Sequence, residues 1–268
     1  MMQPFSDYHS IHLVGIKGVA LTALACCLHD LGKQIEGSDV EEDFVTKEQL
    51  DRLHVKVYTT FSPENLHAST DLVIFSGAHK GSENPIVVAA KEKGIRCLTH
   101  AEALGILMQG KIGISACGVG GKTSTSAMIA WILEHAGLHP SFAVGVGNIP
   151  NLGVPGRFDK VSQYFVAEAD EYVSDPGHDA TPRFMFQYPT VIVCTNLEFD
   201  HPDVYPSFDD VMKAYLAFFH QLSDGGTLVY NAENDELDTL VKGFVKTRED
   251  LGKKVNVVPV SSADSAWG

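Results

Sequence analysis

Short apolar runs alternate along this chain with longer stretches in which apolar residues recur every three to four positions. The first kind fits buried strands, and the second fits helices with one face on a core. Residues 11–15 predict a strand, followed by a helix through Leu31 that Gly32 closes. A second strand ends in Glu36-Gly37-Ser38-Asp39. After it the pattern predicts a helix at 47–53, strands at 55–58 and 71–76, a helix at 85–93, a strand at 95–98 and a helix at 102–108. Gly110-Lys111 marks a hinge. Beyond it, strands are expected at 112–117, 142–145, 164–168, 191–195, 226–230 and 255–260, with helices at 127–133, 207–222 and 235–245. Residues 145–159 and 174–183 read as long loops, where sites tend to be built. Such alternation predicts an α/β chain with helix-covered parallel sheets. A Rossmann-like unit is expected at 1–110 and a second parallel-sheet unit, carrying a phosphate loop, at 111–268.

Composition adds a few constraints. Of 268 residues, 44% are hydrophobic and 20% charged, enough for a core without covalent staples. A formal net charge of −14 argues against a nucleic-acid partner, and an anionic substrate would need local lysines or magnesium to neutralise it. Cys26, Cys27, Cys97, Cys117 and Cys194 lie in or beside apolar segments without zinc-ligand spacing, and read as reduced core residues of a cytoplasmic protein. Residues 1–10 lack the layout of a signal peptide, and no apolar run approaches the ~20 residues of a membrane span.

The strand at 112–117 runs into Gly118, Gly120 and Gly121, then Lys122-Thr123-Ser124 and a helix. Glycines let successive backbone N–H groups converge on one anion, and the helix adds its positive end. Lys122 would neutralise the outer phosphates of a nucleotide, and the Thr123 hydroxyl would hold magnesium. The longer phosphate-loop pattern wants glycine at 116, where Ala116 stands. What remains is the shorter G-x-x-G-K-T-S of 118–124.

The first strand-to-helix turn does not fit a dinucleotide site. Glycines are wanted at 15, 17 and 20, whereas the chain has Gly15, Lys17 and Ala20, with Gly18 out of phase. A pyrophosphate at this helix start beside Lys17, and a plain turn with a solvated lysine, both stay open. Two other strand ends carry polar groups: Glu168-Ala169-Asp170-Glu171, and Asn196 through Asp203 with His201. Ligands of open parallel sheets bind outside the carboxyl ends of the strands, so these ends and Lys122 form a candidate nucleotide–magnesium site.

Taken together, these motifs resemble the Mur ligases, ATP-dependent amide-forming enzymes of peptidoglycan synthesis. Gly118 to Ser124 is similar to that family's phosphate loop, with Val119 where threonine is usual. Tyr164 to Glu171 is similar to its V-A-E-A-D-E strand end, and Thr195 to Asp203 to its T-N-[IL]-E-x-D-H-x-D segment. His12 to Ala20 and Gly37-Ser38-Asp39 resemble the opening segments of the branch that acts on UDP-muramate. The resemblance covers essentially the whole chain.

This resemblance implies an ATP site made by Gly118, Gly120, Gly121, Lys122, Thr123, Ser124 and Asn196. It implies that Thr123 and Glu168 ligate one Mg2+, that His201 helps place a second, and that Lys122, Glu168 and His201 serve catalysis. Gly15, Lys17, Gly18, Ser38, Asp39 and Ser76 would hold the UDP part of UDP-N-acetylmuramate. The implied reaction turns the muramate carboxylate and ATP into an acyl phosphate, from which an amine displaces phosphate. L-Alanine is the expected amine, with a recycled tripeptide as the alternative. Leu216 stands where other branches carry a carbamylated lysine, while Glu171-Tyr172, Phe199 and residues 149–153 lean toward the peptide ligases.

Two departures bear on these expectations. Lys17 and Ala20 replace glycines of the first loop. Mur ligases also carry a third domain that binds the amine, whereas this chain stops at 261–268 with its central unit incomplete. On that reading it is a fragment, expected to bind nucleotide weakly and to ligate poorly. A non-catalytic nucleotide-binding module and an NAD-dependent oxidoreductase are the competing classes.

Overall fold

In the computed structural model, which describes residues 3–262, the alternation resolves into two sheets. Residues 263–268, part of the chain end read above, lie outside the described residues, as do residues 1–2. The first sheet and its helices run β1 (Ser10–Val14), α1 (Val19–Asp30), β2 (Gln34–Ser38), α2 (Lys47–Arg52), β3 (Lys56–Tyr58), β4 (Leu72–Phe75), α3 (Pro85–Glu92), β5 (Arg96–Thr99) and α4 (His100–Met108). All five strands are parallel, in the order β3-β2-β1-β4-β5. From β1 the chain moves outward to β3 and then returns to β4 on the other side. The carboxyl end of β1 is therefore a switch point, where the crossovers part and leave a crevice.

The second sheet follows with β6 (Ile112–Cys117), α5 (Lys122–His135), β7 (Ser141–Ala143), β8 (Gly156–Arg157), β9 (Tyr164–Glu168), β10 (Val173–Asp175), β11 (Asp179–Pro182), β12 (Val191–Cys194), α6 (Phe208–Phe219), β13 (Thr227–Asn231), α7 (Asp235–Asp250) and β14 (Asn256–Val260). Seven of these strands form a sheet ordered β14-β13-β12-β6-β9-β7-β8, parallel except for β8 at one edge, while β10 and β11 make a separate hairpin. Its switch point lies at β6: the next crossover leads to β7 on one side, and the later ones lead through β12 to β14 on the other.

Local chemistry sets one of the shifted helix boundaries and tertiary contacts another. Helix α4 starts before the expected residue 102 because Thr99 and Glu102 form a capping box: Thr99 Oγ1 accepts from the Glu102 amide at 3.2 Å, and Glu102 Oε2 accepts from the Thr99 amide at 2.7 Å. Helix α7 continues past the expected 245 because Arg248 turns inward. That residue is 1% exposed and donates to the carbonyls of Leu222, Ser223 and Lys254. The stretches read as loops both contain strand, namely β8 and the β10–β11 hairpin. Strands of two to four residues are too short to show a period. The hairpin leans on the first unit, where Asp175 accepts from the Ser82 amide at 3.2 Å. A Cβ on Gly81 would stand only 1.8 Å from the Asp175 carboxylate.

One hydrophobic cluster joins the two sheets, holding Leu24, Ala25 and Cys27 of α1 together with Ala143, Phe158, Phe165 and Ala167. Gly156 permits this approach, since a Cβ there would sit 2.1 Å from the Ala23 carbonyl oxygen. The two switch points are thereby held close to one another. Among the described residues no helix is long and apolar enough to cross a membrane.

Candidate functional site

The loop between β6 and α5 is shaped by two glycines in conformations that L side chains rarely adopt, Gly118 at φ 126° and Gly121 at φ 83°. Space excludes a side chain at Gly118 as well: a Cβ would lie 2.1 Å from Thr195 Oγ1 and 2.9 Å from the Asn196 amide nitrogen. The loop is pinned from β12. The Gly120 amide donates to Asn196 Oδ1 at 2.9 Å, and Thr195 Oγ1 bonds to the Gly120 carbonyl. Asn196, expected to touch nucleotide, thus also sets the backbone that would do so.

Two carboxylates meet the start of α5. Glu168, at the end of β9, accepts from Thr123 Oγ1 at 2.7 Å through Oε1 and from the Gly145 amide at 2.9 Å through Oε2. Glu171 faces Lys122, whose Nζ lies 3.1 Å from Oε1 and 3.0 Å from Oε2, with hydrogen-bond geometry to Oε1 alone. This pair is sheltered, the Glu171 side chain being 2% exposed and that of Lys122 14%. Burial pushes the Glu171 carboxyl above its ordinary range, and the Lys122 charge pulls it back in part. His201 stands on the far side, its Nε2 3.6 Å from Glu171 Oε1 and its ring edge-on to Tyr172 at 5.1 Å. His201 has φ 54°, and the Tyr205 hydroxyl behind it donates to the Glu171 carbonyl at 2.6 Å.

Lys122, Thr123, Glu168, Asn196 and His201 are therefore brought together around one loop, with Gly118, Gly120 and Gly121 forming it. Ser124 lies one residue on and is exposed. Sequence reasoning named Glu171 only as part of a motif. Its position three residues after Glu168, in the same strand-end run, was the available signal. The hard-oxygen pair of Thr123 hydroxyl and Glu168 carboxylate suits Mg2+, which keeps several waters and takes few protein ligands. Among the described residues no three His, Cys, Asp or Glu side chains cluster tightly enough to hold a metal alone. A magnesium here would draw its remaining ligands from water and phosphate.

The residues expected to hold UDP divide. Gly15, Gly18, Asp39 and Ser76 line a pocket of about 270 Å³ at the carboxyl end of β1, together with His79 and Phe44. Ser38 is fully buried beneath it, 3.0 Å from His12 Nε2. Lys17 turns its ammonium away, donating to the carbonyls of Val40 at 2.6 Å, Glu42 at 2.8 Å and Glu41 at 3.2 Å. Its three donors are occupied, so Lys17 braces the 40–42 segment where an anion contact was one of two open readings. Its amide donates to Asp39 Oδ2 at 2.7 Å.

His100, at the start of α4, lies between this pocket and the Glu168 side. Burial, reinforced by the nearby Arg183 charge, depresses its pKa from 6.5 to about 4. A histidine held neutral by the fold stabilises it above the unfolded pKa, and that contribution is lost as pH falls toward the folded value. His100→Gln is therefore expected to remove roughly 2 kcal/mol of the stability lost between pH 6.5 and pH 4, in urea titrations across that range. Equal acid sensitivity in both proteins would show that His100 is not the group responsible.

Comparison with known families decides the affiliation. Residues 10–112 match the Mur ligase family, catalytic domain, and residues 117–255 match the Mur ligase middle domain. The chain belongs to the Mur ligase family. Among its relatives, this Mur ligase chain is 36% identical to a UDP-N-acetylmuramate–L-alanine ligase of Carboxydothermus hydrogenoformans, over 91% of the chain and 50% of that protein. It is 35% identical to the enzyme of the same name from Treponema pallidum, over 96% of the chain and 50% of that protein. The chain thus spans about half the length of the curated relatives it matches. A solved structure of a UDP-N-acetylmuramate:L-alanyl-gamma-D-glutamyl-meso-diaminopimelate ligase from Neisseria meningitides superposes with a TM-score of 0.81 at 26% identity, over 94% of this chain and 78% of that one. The UDP-N-acetylmuramate-alanine ligase of Thermotoga maritima superposes at 0.67 and 26% identity, over 86% of this chain and 51% of that one.

Proposed function

We propose that this chain carries the nucleotide-sugar and ATP sites of a ligase that joins L-alanine to the lactyl carboxylate of UDP-N-acetylmuramate. In this reading residues 1–110 hold the UDP-sugar and 111–268 hold ATP. The observation that carries it is the ring of contacts around the phosphate loop: Thr123 on Glu168, and Lys122 and His201 on Glu171. These groups suit an ATP whose terminal phosphate must approach a carboxylate. Lys122 and the loop amides other than that of Gly120, which is engaged by Asn196, bind and orient the phosphates, while contacts from Thr195 and Asn196 pin the loop. A magnesium ion held by Thr123 and Glu168 would screen the two anions from each other and stabilise the transferring phosphoryl group. His201 faces the same opening from the β12 side.

A tripeptide as the incoming amine is the second reading. It is favoured by the higher TM-score of the peptide-adding Neisseria structure, 0.81 against 0.67 for the Thermotoga alanine ligase. Calorimetry on this chain tests the two sites, with Mg·ATP and UDP-N-acetylmuramate each expected to bind without excluding the other. Phosphate release by the whole gene product with ATP, UDP-N-acetylmuramate and either L-alanine or the tripeptide then identifies the amine. Release with neither would end the ligase reading.

A further inference from the structure

Two crevices adjoin at the start of α1 and α4, on the side that faces Glu168. One, of about 190 Å³, reaches Gly145, Glu168 and Gln187; the other, of about 270 Å³, reaches Gly15, Asp39 and Ser76. Val19, Ala20, His100, Ala101 and Arg183 line both. Of all the residues lining either crevice, Arg183 is the one lysine or arginine. Three carboxylates line the crevices and all are engaged: Asp39 accepts from the amides of Lys17 and Val40, Glu168 accepts from Thr123 and Gly145, and Asp170 accepts from Arg183 itself. His100 is held neutral. An anion reaching from the β1 crevice toward Glu168 therefore meets one permanent positive charge.

Arg183 is held in place for such a contact. Its Nη1 donates to Asp170 Oδ2 at 2.7 Å and its Nε to the Val173 carbonyl at 3.2 Å. The guanidinium lies over the Tyr172 ring at 5.7 Å. Among the described residues nothing accepts a hydrogen bond from Nη2. The β10–β11 hairpin delivers the residue here, returning the chain so that the Arg183 amide bonds to the Tyr172 carbonyl at 2.9 Å.

We propose that Arg183 binds the carboxylate of the acceptor sugar, and that it makes the site select an acidic nucleotide sugar over its neutral counterpart. The assignment rests on reading the β1 crevice as the nucleotide-sugar site and the phosphate loop beyond Glu168 as the ATP site. Chemistry asks for such a group, because the carboxylate must be held near a phosphate that repels it. A guanidinium supplies fixed, paired N–H donors without a proton to lose.

The test measures binding alone. UDP-N-acetylmuramate and UDP-N-acetylglucosamine, which lacks the lactyl carboxylate, are titrated calorimetrically into wild type, Arg183→Met and the charge-balanced Arg183→Met/Asp170→Asn. Wild type is expected to prefer the acid. Both variants should lose about ten- to hundredfold in affinity for the acid while keeping their affinity for the neutral sugar. Equal weakening toward both sugars, an undiminished preference, or a preference restored in the double variant overturns the assignment of Arg183. A restored preference would mean that the single variant had only unmasked repulsion by Asp170. Failure of wild type to bind either sugar overturns the reading of the crevice itself, and this assignment with it.

Discussion

Lys122→Met is expected to weaken Mg·ATP binding by about a hundredfold and to destabilise the fold by about 3 kcal/mol. Two separate losses produce these effects. The ammonium lies beside the loop, 3.5 Å from the Val119 carbonyl oxygen, and charge-assisted hydrogen bonds to phosphate are individually worth ~1.5–3 kcal/mol. Removing it also strands Glu171, 2% exposed, without the partner 3.0 Å away. A buried carboxylate that loses its counter-charge is far costlier than a pair that was never made. Burial already raises the Glu171 pKa and Lys122 restrains it, so the variant should take up a proton at higher pH than wild type does. Its folded pKa lies above the unfolded one, so its relative stability is greatest at low pH and is lost as pH rises through the folded value. Adding Glu171→Gln to Lys122→Met should therefore recover most of the stability and none of the nucleotide affinity. Fluorescent nucleotide titration and urea unfolding on the same samples separate the two. Recovery of ATP binding in the double variant would show that Lys122 acts only by pairing with Glu171.

Glu168→Gln should abolish the magnesium dependence of ATP binding while leaving metal-free affinity in place. The carboxylate accepts from Thr123 Oγ1 at 2.7 Å and from the Gly145 amide at 2.9 Å, so both oxygens are already oriented at the head of α5. An amide keeps one acceptor but turns an NH2 toward one of the two donors, and it removes the negative charge that a hard cation needs. In wild type, magnesium is expected to tighten ATP binding by about tenfold or more. In the variant, titrations with magnesium and with chelator should coincide. A variant that still gains affinity from magnesium would remove Glu168 from the ligand set.

The phosphate loop was legible because its requirements are local. A strand, glycines at 118 and 121 and a Lys-Thr pair at a helix start are all neighbours in sequence, and each glycine does adopt a positive φ. Glu168 and His201 were legible as strand-end polar residues for the same reason. Lys17 shows where that logic stops. A lysine in a glycine turn reads equally as an anion ligand or a solvated side chain, and its ammonium instead finds the 40–42 carbonyls, more than twenty residues away. Ser38 does not line the pocket: it is fully buried, with its hydroxyl paired to His12 of the neighbouring strand. Arg183 went unnoticed in a stretch read as loop, because only the hairpin pairing brings it back beside Asp170.

By itself the sequence determined most of the strands and helices, though not the short β8, β10 and β11, along with the glycine turn suited to a phosphate and the polar residues that follow the strand ends. Those properties follow from apolar periodicity, backbone permissiveness and neighbouring side chains, all of which act over a few residues. Only the tertiary structure decided that α1 packs on both sheets through Gly156, that Glu171 links Lys122 to His201, and that Arg183 lines both crevices. These depend on which distant backbones meet and what is left unpaired where they do, and no short-range pattern encodes that.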